Sequence, residues 1–412
     1  MLKTNYQRTL DFIQKNWVLA IVYFPIFWTL AFSFTVSNGR SIASKLFVIS
    51  AIFFLFHFKK EVLSFLKKPK PIKILLACLF VLITFRSSMF LYHGEHTSSI
   101  RAFSIIFLYI YAFPYWLVKE KHIKLIVFSS SMLLGLDALI HIINNGFLRY
   151  GGNTNPNPYG LYAALLFIVT YILMIRKNNN KLLFIIPFTM LTILPLFTSQ
   201  SRGVWVSILV VLIIYHMKNI KLSLKNIIII FLIGGIGALS LYQIPIIKNR
   251  IASTINEINK IEHNNLNSSM GIRLQIWSDS TLLIKQHPLL GVGHNYKSIN
   301  TERLEKNEIS QLSYHFSNNH QHNQFLEFIV KQGLIGLLII LGCILLPIAL
   351  LIKEAKNTII RDISLSLSLV LLMNFITEVP FNWINFTYGY LIIILCLFFI
   401  NYKNELSLGK VE

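Results

Sequence analysis

The sequence predicts an all-α polytopic membrane protein, with about 12 transmembrane helices and one large, partly helical loop on the outer side. Three observations carry that prediction. Of 412 residues, 54% are hydrophobic and 13% charged, against roughly 25% charged in an ordinary soluble domain. Apolar stretches near the roughly 17–25 residues that cross a bilayer recur from end to end. Lysines and arginines alternate in density from one connection to the next, which is how such a chain records its orientation.

The spans are expected at 17–36, 42–58, 72–92, 100–118, 123–143, 159–175, 182–198, 203–217, 226–242, 334–352, 363–378 and 385–400. The first is too long for a signal-peptide core and lacks a small-residue cleavage site, so it counts as a helix. The chain divides into residues 1–242 with spans one to nine, a loop over 243–321, and residues 322–412 with spans ten to twelve. Placing the N-terminus inside puts the majority of the 38 Lys and Arg on inside connections, and both termini in the cytoplasm. The net charge of +21 is therefore mainly a topology signal. Nucleic acid is not an expected partner, because no basic cluster alternates with exposed aromatics. Cys78, Cys343 and Cys396 all fall in membrane segments, so no disulfide framework is implied.

The long loop is polar but patterned. SSMGIRLQIWSDSTLLIKQHPLLGVGHNY places Ile272, Ile276 and Leu283 at helical spacing, then breaks at Pro288 and the Gly291/Gly293 pair. An amphipathic helix against the membrane face is expected there, and the preceding EHNNLNSS reads as a flexible link. Three further stretches share the outer side. NTNPNPYG precedes the sixth span, SQSRG forms the corner between the seventh and eighth, and NNHQHNQFLEFIVKQGLIG opens the tenth.

In the last of these, a continuous helix sets Gly333 eleven residues beyond His322, three turns with about 20° of drift. Gly336 stays close to the same line, so a neighbouring helix could pack under the imidazole. Glu327 and Lys331 form an i,i+4 pair on another face, which places these turns in a wet or interfacial zone. By itself His322 reads first as a polar interfacial residue closing a helix end. A metal site with His315 and His320 fits poorly, since i,i+2 histidines diverge on a helix and no carboxylate or thiolate adjoins them. Arg202, flanked by Ser199, Ser201 and Gly203 at the start of the eighth span, suits an anion, or else snorkels to headgroups. Arg273 on the loop helix has the same two readings, as does Arg101 beside His93 and His96.

TSQSRGVW, MGIRLQIW running to HPLLGVGHNY, and HNQFLEFIVKQGLIG resemble the O-antigen ligase family and its superfamily of outer-leaflet polysaccharide ligases and polymerases. His-Asn, nine residues, then Gly-x-x-Gly is the ligase signature, matched by His322, Asn323, Gly333 and Gly336. The resemblance runs from about Asn153 to Gly336, and implies a GT-C-like fold in a Gram-negative inner membrane with a periplasmic site. It implies transfer of a glycan from undecaprenyl diphosphate to a sugar hydroxyl of lipid A–core, without metal, cofactor or nucleotide sugar. By motif, His322 matches the proposed catalytic histidine, and Arg202 and Arg273 the essential arginines. Ser201, His320, Asn323, Arg101 and Glu378 complete the candidate substrate contacts, Glu378 standing where relatives carry an acid, often Asp. Gly333 and Gly336 are structural.

An O-antigen polymerase is the nearest alternative. Its frequent Arg, fifteen residues, then Gly is absent here, since Lys218 and Leu289 occupy those places after Arg202 and Arg273. An oligosaccharyltransferase acting on protein is a second alternative. A transporter is a third, raised by Asp137 and Glu378 as acids at membrane depth. Against it, Asp137 lacks an obvious basic partner and the halves show no matching pair of broken helices.

Overall fold

A computed structural model describes residues 2–63, 68–94, 97–177, 182–218, 242–318, 320–355 and 358–402. Helices make up nearly all of it, and no strand forms among the described residues. In chain order they are α1 Leu2–Phe32, α2 Gly39–His57, α3 Lys59–Leu63, α4 Lys70–His93, α5 Thr97–Ala112, α6 Glu120–Asn145, α7 Pro156–Lys177, α8 Leu182–Ser199 and α9 Arg202–Met217. The loop segment contributes α10 Pro245–Glu262, α11 Ser269–Gln286, α12 Tyr296–Glu305 and α13 Gln311–Ser317. Then follow α14 Gln324–Glu354, α15 Thr358–Phe375 and α16 Ile384–Asn401.

Among the described residues, seven helices are long and apolar enough to cross a membrane, and four shorter apolar segments accompany them. Eleven of the expected spans fall on these helices. The expected ninth, 226–242, lies outside the described residues but for Tyr242, and so does His96.

Burial sorts the helices into centre and rim. The apolar windows of α7 and α16 are 83% and 89% buried, as expected of helices that are apolar all round and enclosed by others. Those of α2, α4 and α14 are 33% buried, and present side chains such as Phe56 and Leu91 outward, where lipid is their natural solvent. Ion pairs clamp the end of the bundle away from the candidate site. Asp362 on α15 accepts from Arg176 of α7 at 2.9 Å and from Lys218 just after α9 at 2.5 Å. Lys70 meets Glu354 at 2.5 Å, joining the start of α4 to the end of α14.

Several local expectations change. EHNNLNSS is a hydrogen-bonded turn rather than a loose link, with Met270 N donating to Glu257 at 3.1 Å and Gln275 donating to the Leu266 carbonyl at 3.3 Å. The buried face of α11, through Leu283, packs with Val292, Tyr296 and Val330 of its own region and of α14, not against lipid. The eleventh span ends at Phe375, which leaves Glu378 in the turn beyond it.

The expected continuous helix from His322 is replaced by a sharper device. His322 has φ +50° and precedes the helix; Asn323 is the cap, its Oδ1 accepting from Phe325 N at 3.0 Å and Leu326 N at 3.1 Å. The helix then breaks at Gly333, φ 66° and ψ −172°, a conformation open essentially to glycine alone. What approaches Gly333 is backbone: a Cβ there would lie 2.1 Å from the carbonyl of Leu289. The loop before α12 fills the break, its Pro288 carbonyl accepting from Leu334 N at 2.9 Å and its Val292 N donating to Val330 O at 2.8 Å. Backbone groups freed by a broken membrane helix need such partners. Gly336 faces Phe85 of α4 and the Gln332 side chain.

Candidate active site

Four segments meet at one end of the bundle. The corner 199–202 turns tightly because Gln200 takes φ +50°. Gly160, in the first turn of α7, packs so closely on this corner that a Cβ would stand 2.5 Å from Ser199 Oγ. Gly203 admits the turn after α15 in the same way, with Thr377 Oγ1 at 2.8 Å from where its Cβ would be. NTNPNPYG, SQSRG and the segment bearing Glu378 are therefore in mutual contact, as the shared outer placement of the first two suggests.

A polar chain runs through this contact. Arg273 of α11 donates to Glu378 Oε1 at 2.7 Å, and Asn157 Nδ2 donates to the same oxygen at 2.6 Å. Arg149 donates to Asn157 Oδ1 at 2.5 Å and through Nε to the Ser199 carbonyl at 3.1 Å. Arg202 begins α9 with Ser201 at its N-cap position, and donates to Thr254 Oγ1 at 2.9 Å and Glu257 Oε1 at 3.0 Å on α10. Arg250 of α10 reaches Gln200 at 2.9 Å. Burial lowers the pKa of Arg149, and Arg273 and Arg202 add to that effect against Glu378. Burial likewise lowers that of Arg250, helped by Arg149 and Arg202. Four guanidinium groups thus share one field with two carboxylates, leaving a cationic surplus that suits an anion.

The histidine segment is held from below. Gln321 is fully buried; its carbonyl accepts from Trp277 Nε1 at 3.1 Å, its Oε1 from Ser280 at 2.7 Å, and its N–H donates to Glu327 at 2.9 Å. Pinning Gln321 fixes His320 and His322 on either side of it, rings 4.1 Å apart and nearly perpendicular. Nδ1 of His322 is buried and has no hydrogen-bond partner. Burial pulls the His322 pKa down to about 3, with His320 and Arg273 adding to the effect and Glu327 opposing it. The expected value near 6.5 is therefore not that of the unliganded site. Burial also lowers His320. Glu378 moves the other way, pushed up to about 7 by burial against Arg273 and Arg149.

Glu327 is placed differently from expectation. Because the helix starts only at Gln324, its carboxylate reaches back to the histidine segment. It accepts from Gln321 N, from Lys331 at 2.5 Å and from Asn382 at 2.7 Å. Glu327 and Lys331 line a cavity of about 380 Å3. Gln324 Oε1 accepts from Phe381 N at 2.9 Å, which ties the Glu378 turn to the same helix start.

The structure thus brings together His322, His320, Arg273, Glu378, Arg202 and Ser201. Asn323 serves as a helix cap, and Arg101 stands apart in a second cavity with Arg40 and Lys45. Asp137 accepts from the Tyr150 hydroxyl at 2.9 Å, which is not a basic partner. Sequence reasoning missed Arg149, Asn157, Arg250 and Glu257. One signal was available for Arg149: a cation in a short outer connection runs against the positive-inside pattern and calls for another reason to be there.

The arrangement is an arginine cluster at one end of a helical bundle, with Arg273 close enough to His322 to lower its pKa. Residues 187–341, which bear Arg202, Arg273, His322 and Gly333, match the family model described as O-antigen ligase. An uncharacterised protein of Haemophilus influenzae is 28% identical over 75% of this chain and 80% of its own length. The ComP-specific O-oligosaccharyltransferase of Acinetobacter baylyi is 25% identical over 58% of this chain, which spans 44% of that relative's length.

Proposed function

We propose that the chain is an O-antigen ligase, a glycosyltransferase that moves a glycan from undecaprenyl diphosphate to a sugar hydroxyl of lipid A–core. The reading includes a GT-C-like arrangement of twelve spans in a Gram-negative inner membrane, with the site periplasmic and both termini cytoplasmic. One observation carries it. Arg149, Arg202, Arg250 and Arg273 share one electrostatic field, Arg273 also acts on His322 with its buried, unpartnered Nδ1, and all of these but Arg149 fall in the region that matches the ligase family.

In this mechanism the donor diphosphate lies among the arginines, displacing Glu257 from Arg202 and Glu378 from Arg273. The acceptor hydroxyl oxygen attacks the anomeric carbon from the face opposite the diphosphate. The bond from that carbon to the phosphate oxygen breaks, and its electron pair stays on the diphosphate. The guanidinium groups stabilise that growing charge. The hydroxyl proton passes to His322, and the configuration at carbon inverts. An imidazole with a pKa of about 3 is neutral and ready to accept, but a weak base. Burial is the main cause of that depression; two negative charges beside Arg273 offset the repulsion that Arg273 adds, so basicity rises when donor is bound.

A second reading is favoured by the Acinetobacter baylyi relative: transfer of the glycan to a hydroxyl of a protein acceptor. The test is the glycan inventory of a deletion strain. Core without O-chain, with lipid-linked polymer accumulating, supports ligase. Core bearing one repeat unit identifies a polymerase, and intact lipopolysaccharide with loss of a glycoprotein identifies the protein-directed enzyme. No change in any glycan defeats the transferase reading.

A further inference from the structure

Beyond the arginine cluster, the same end of the bundle holds a second polar cavity of about 250 Å3. Arg40 and Lys45 enter it from the first two turns of α2, and Arg101 from the first turn of α5. Hydroxyl groups complete the wall: Ser98, and Ser44 hydrogen-bonded to Tyr388 at 3.1 Å. Among the described residues no carboxylate lines it and no acid pairs with Arg40, Lys45 or Arg101. Arg202 and Arg273, by contrast, each hold a glutamate.

The cavity lies on the site's side of the bundle, since the turn between α1 and α2 receives Asn153 N at the Phe34 carbonyl, 2.8 Å. Three exposed cations line one cavity with no counter-charge among the described residues, and an anion between them offsets their solvent-screened repulsion. Arginine forks, a lysine point charge and hydroxyl donors together match the three outer oxygens of a phosphate ester. Ser98, Ala102 and Ile384 also line the 380 Å3 cavity that holds Glu327 and Lys331, so the two spaces adjoin.

We propose that the Arg40–Lys45–Arg101 cavity is a phosphate-ester site, separate from the arginine cluster around Arg202 and Arg273. It seats a phosphate carried by the acceptor, while the sugar bearing the reactive hydroxyl occupies the adjoining cavity. The assignment of that phosphate to the acceptor rests on the proposed transferase function; the anion site itself does not.

The test is calorimetric titration of the detergent-purified full chain with glucose 6-phosphate, glucose and pyrophosphate. Glucose 6-phosphate should bind the wild type, and glucose should not. Arg40→Gln/Arg101→Gln should weaken glucose 6-phosphate binding by about tenfold or more, the usual consequence of losing charge-assisted hydrogen bonds. Arg202→Gln/Arg273→Gln should leave it within about twofold while weakening pyrophosphate. If the double variant at the cavity does not fold, Lys45→Gln alone should still weaken binding. Equal binding in the cavity variants, loss in Arg202→Gln/Arg273→Gln, or no binding to the wild type overturns the site. Repeating the titration in phosphatidylglycerol and phosphatidylcholine nanodiscs separates the sources. Competition by phosphatidylglycerol alone means that bulk headgroups fill the cavity and overturns the acceptor role. Failure of the transferase reading would show instead as absence of any glycan product, with the titration unchanged.

Discussion

At the scale of single residues, the site is a set of groups held away from their ordinary protonation behaviour. Glu378 is the clearest case. Burial sets its pKa at about 7, so it is mostly neutral below that value and mostly charged above it. Charged, it competes for Arg273; neutral, it releases the guanidinium to a phosphate. A diphosphate diester keeps its charge across this range, so donor affinity should fall as pH rises from about 6 to about 8. Glu378→Gln should remove that dependence and leave binding tight at both ends, measured with an undecaprenyl-diphosphate-linked glycan. A wild type whose affinity is flat with pH contradicts the assignment. His322 makes a different prediction. With a pKa of about 3, it contributes no ionisation between pH 5 and 8 in the unliganded protein, which nuclear magnetic resonance of labelled histidine reads directly. His322 and Arg273 were legible in the sequence through motif and chemistry. The His322 pKa was not, because it depends on burial and on His320 and Arg273, which only the fold assembles.

At the scale of elements, two features do the positioning. The break at Gly333 lets the 288–292 backbone enter α14, and a Cβ there meets both a forbidden φ and the Leu289 carbonyl. Gly333→Ala should therefore cost about 3 kcal/mol or more, seen as a lower melting temperature in detergent. A melting curve like that of the wild type would refute this packing. Helix α10 is the second. Arg250, Thr254 and Glu257 face the corner of Arg202, while Ile251, Ile255 and Ile258 are exposed. Glu257→Gln removes the charge that occupies Arg202, so pyrophosphate should bind about three- to tenfold more tightly, by calorimetry. Weaker binding would show that Glu257 holds Arg202 in place instead of competing with the ligand.

These elements also mark how far the sequence could be read. Hydropathy located eleven helices, because a span must satisfy its own backbone and announces itself by length. The break in α14 was missed, since glycines in a membrane helix equally signal close packing. Helix α10 was missed because its apolar stripe is the exposed one and its polar face does the packing.

At the scale of the molecule, the two ends of the bundle use charge differently. One end is closed by ordinary pairs such as Asp362 with Arg176 and Lys218. The other gathers cations around cavities, with fewer acids than the arginines and lysines there would need. That asymmetry follows the charge pattern of the connections and predicts which end faces out. A cysteine placed at exposed Ser298 should react in intact cells with a membrane-impermeant maleimide, and one at exposed Lys121 should not. The reverse pattern would invert the topology and remove the substrate assignment with it.

The whole account depends on an imidazole and several guanidinium groups sharing one chamber, the first taking a proton while the others hold a diphosphate. Its most direct test is a purified reaction comparing wild type with His322→Ala, reading donor binding and glycan transfer in the same preparation. Donor affinity should be unchanged within about threefold while transfer falls by about a hundredfold or more. Transfer at the wild-type rate in that variant would contradict the account.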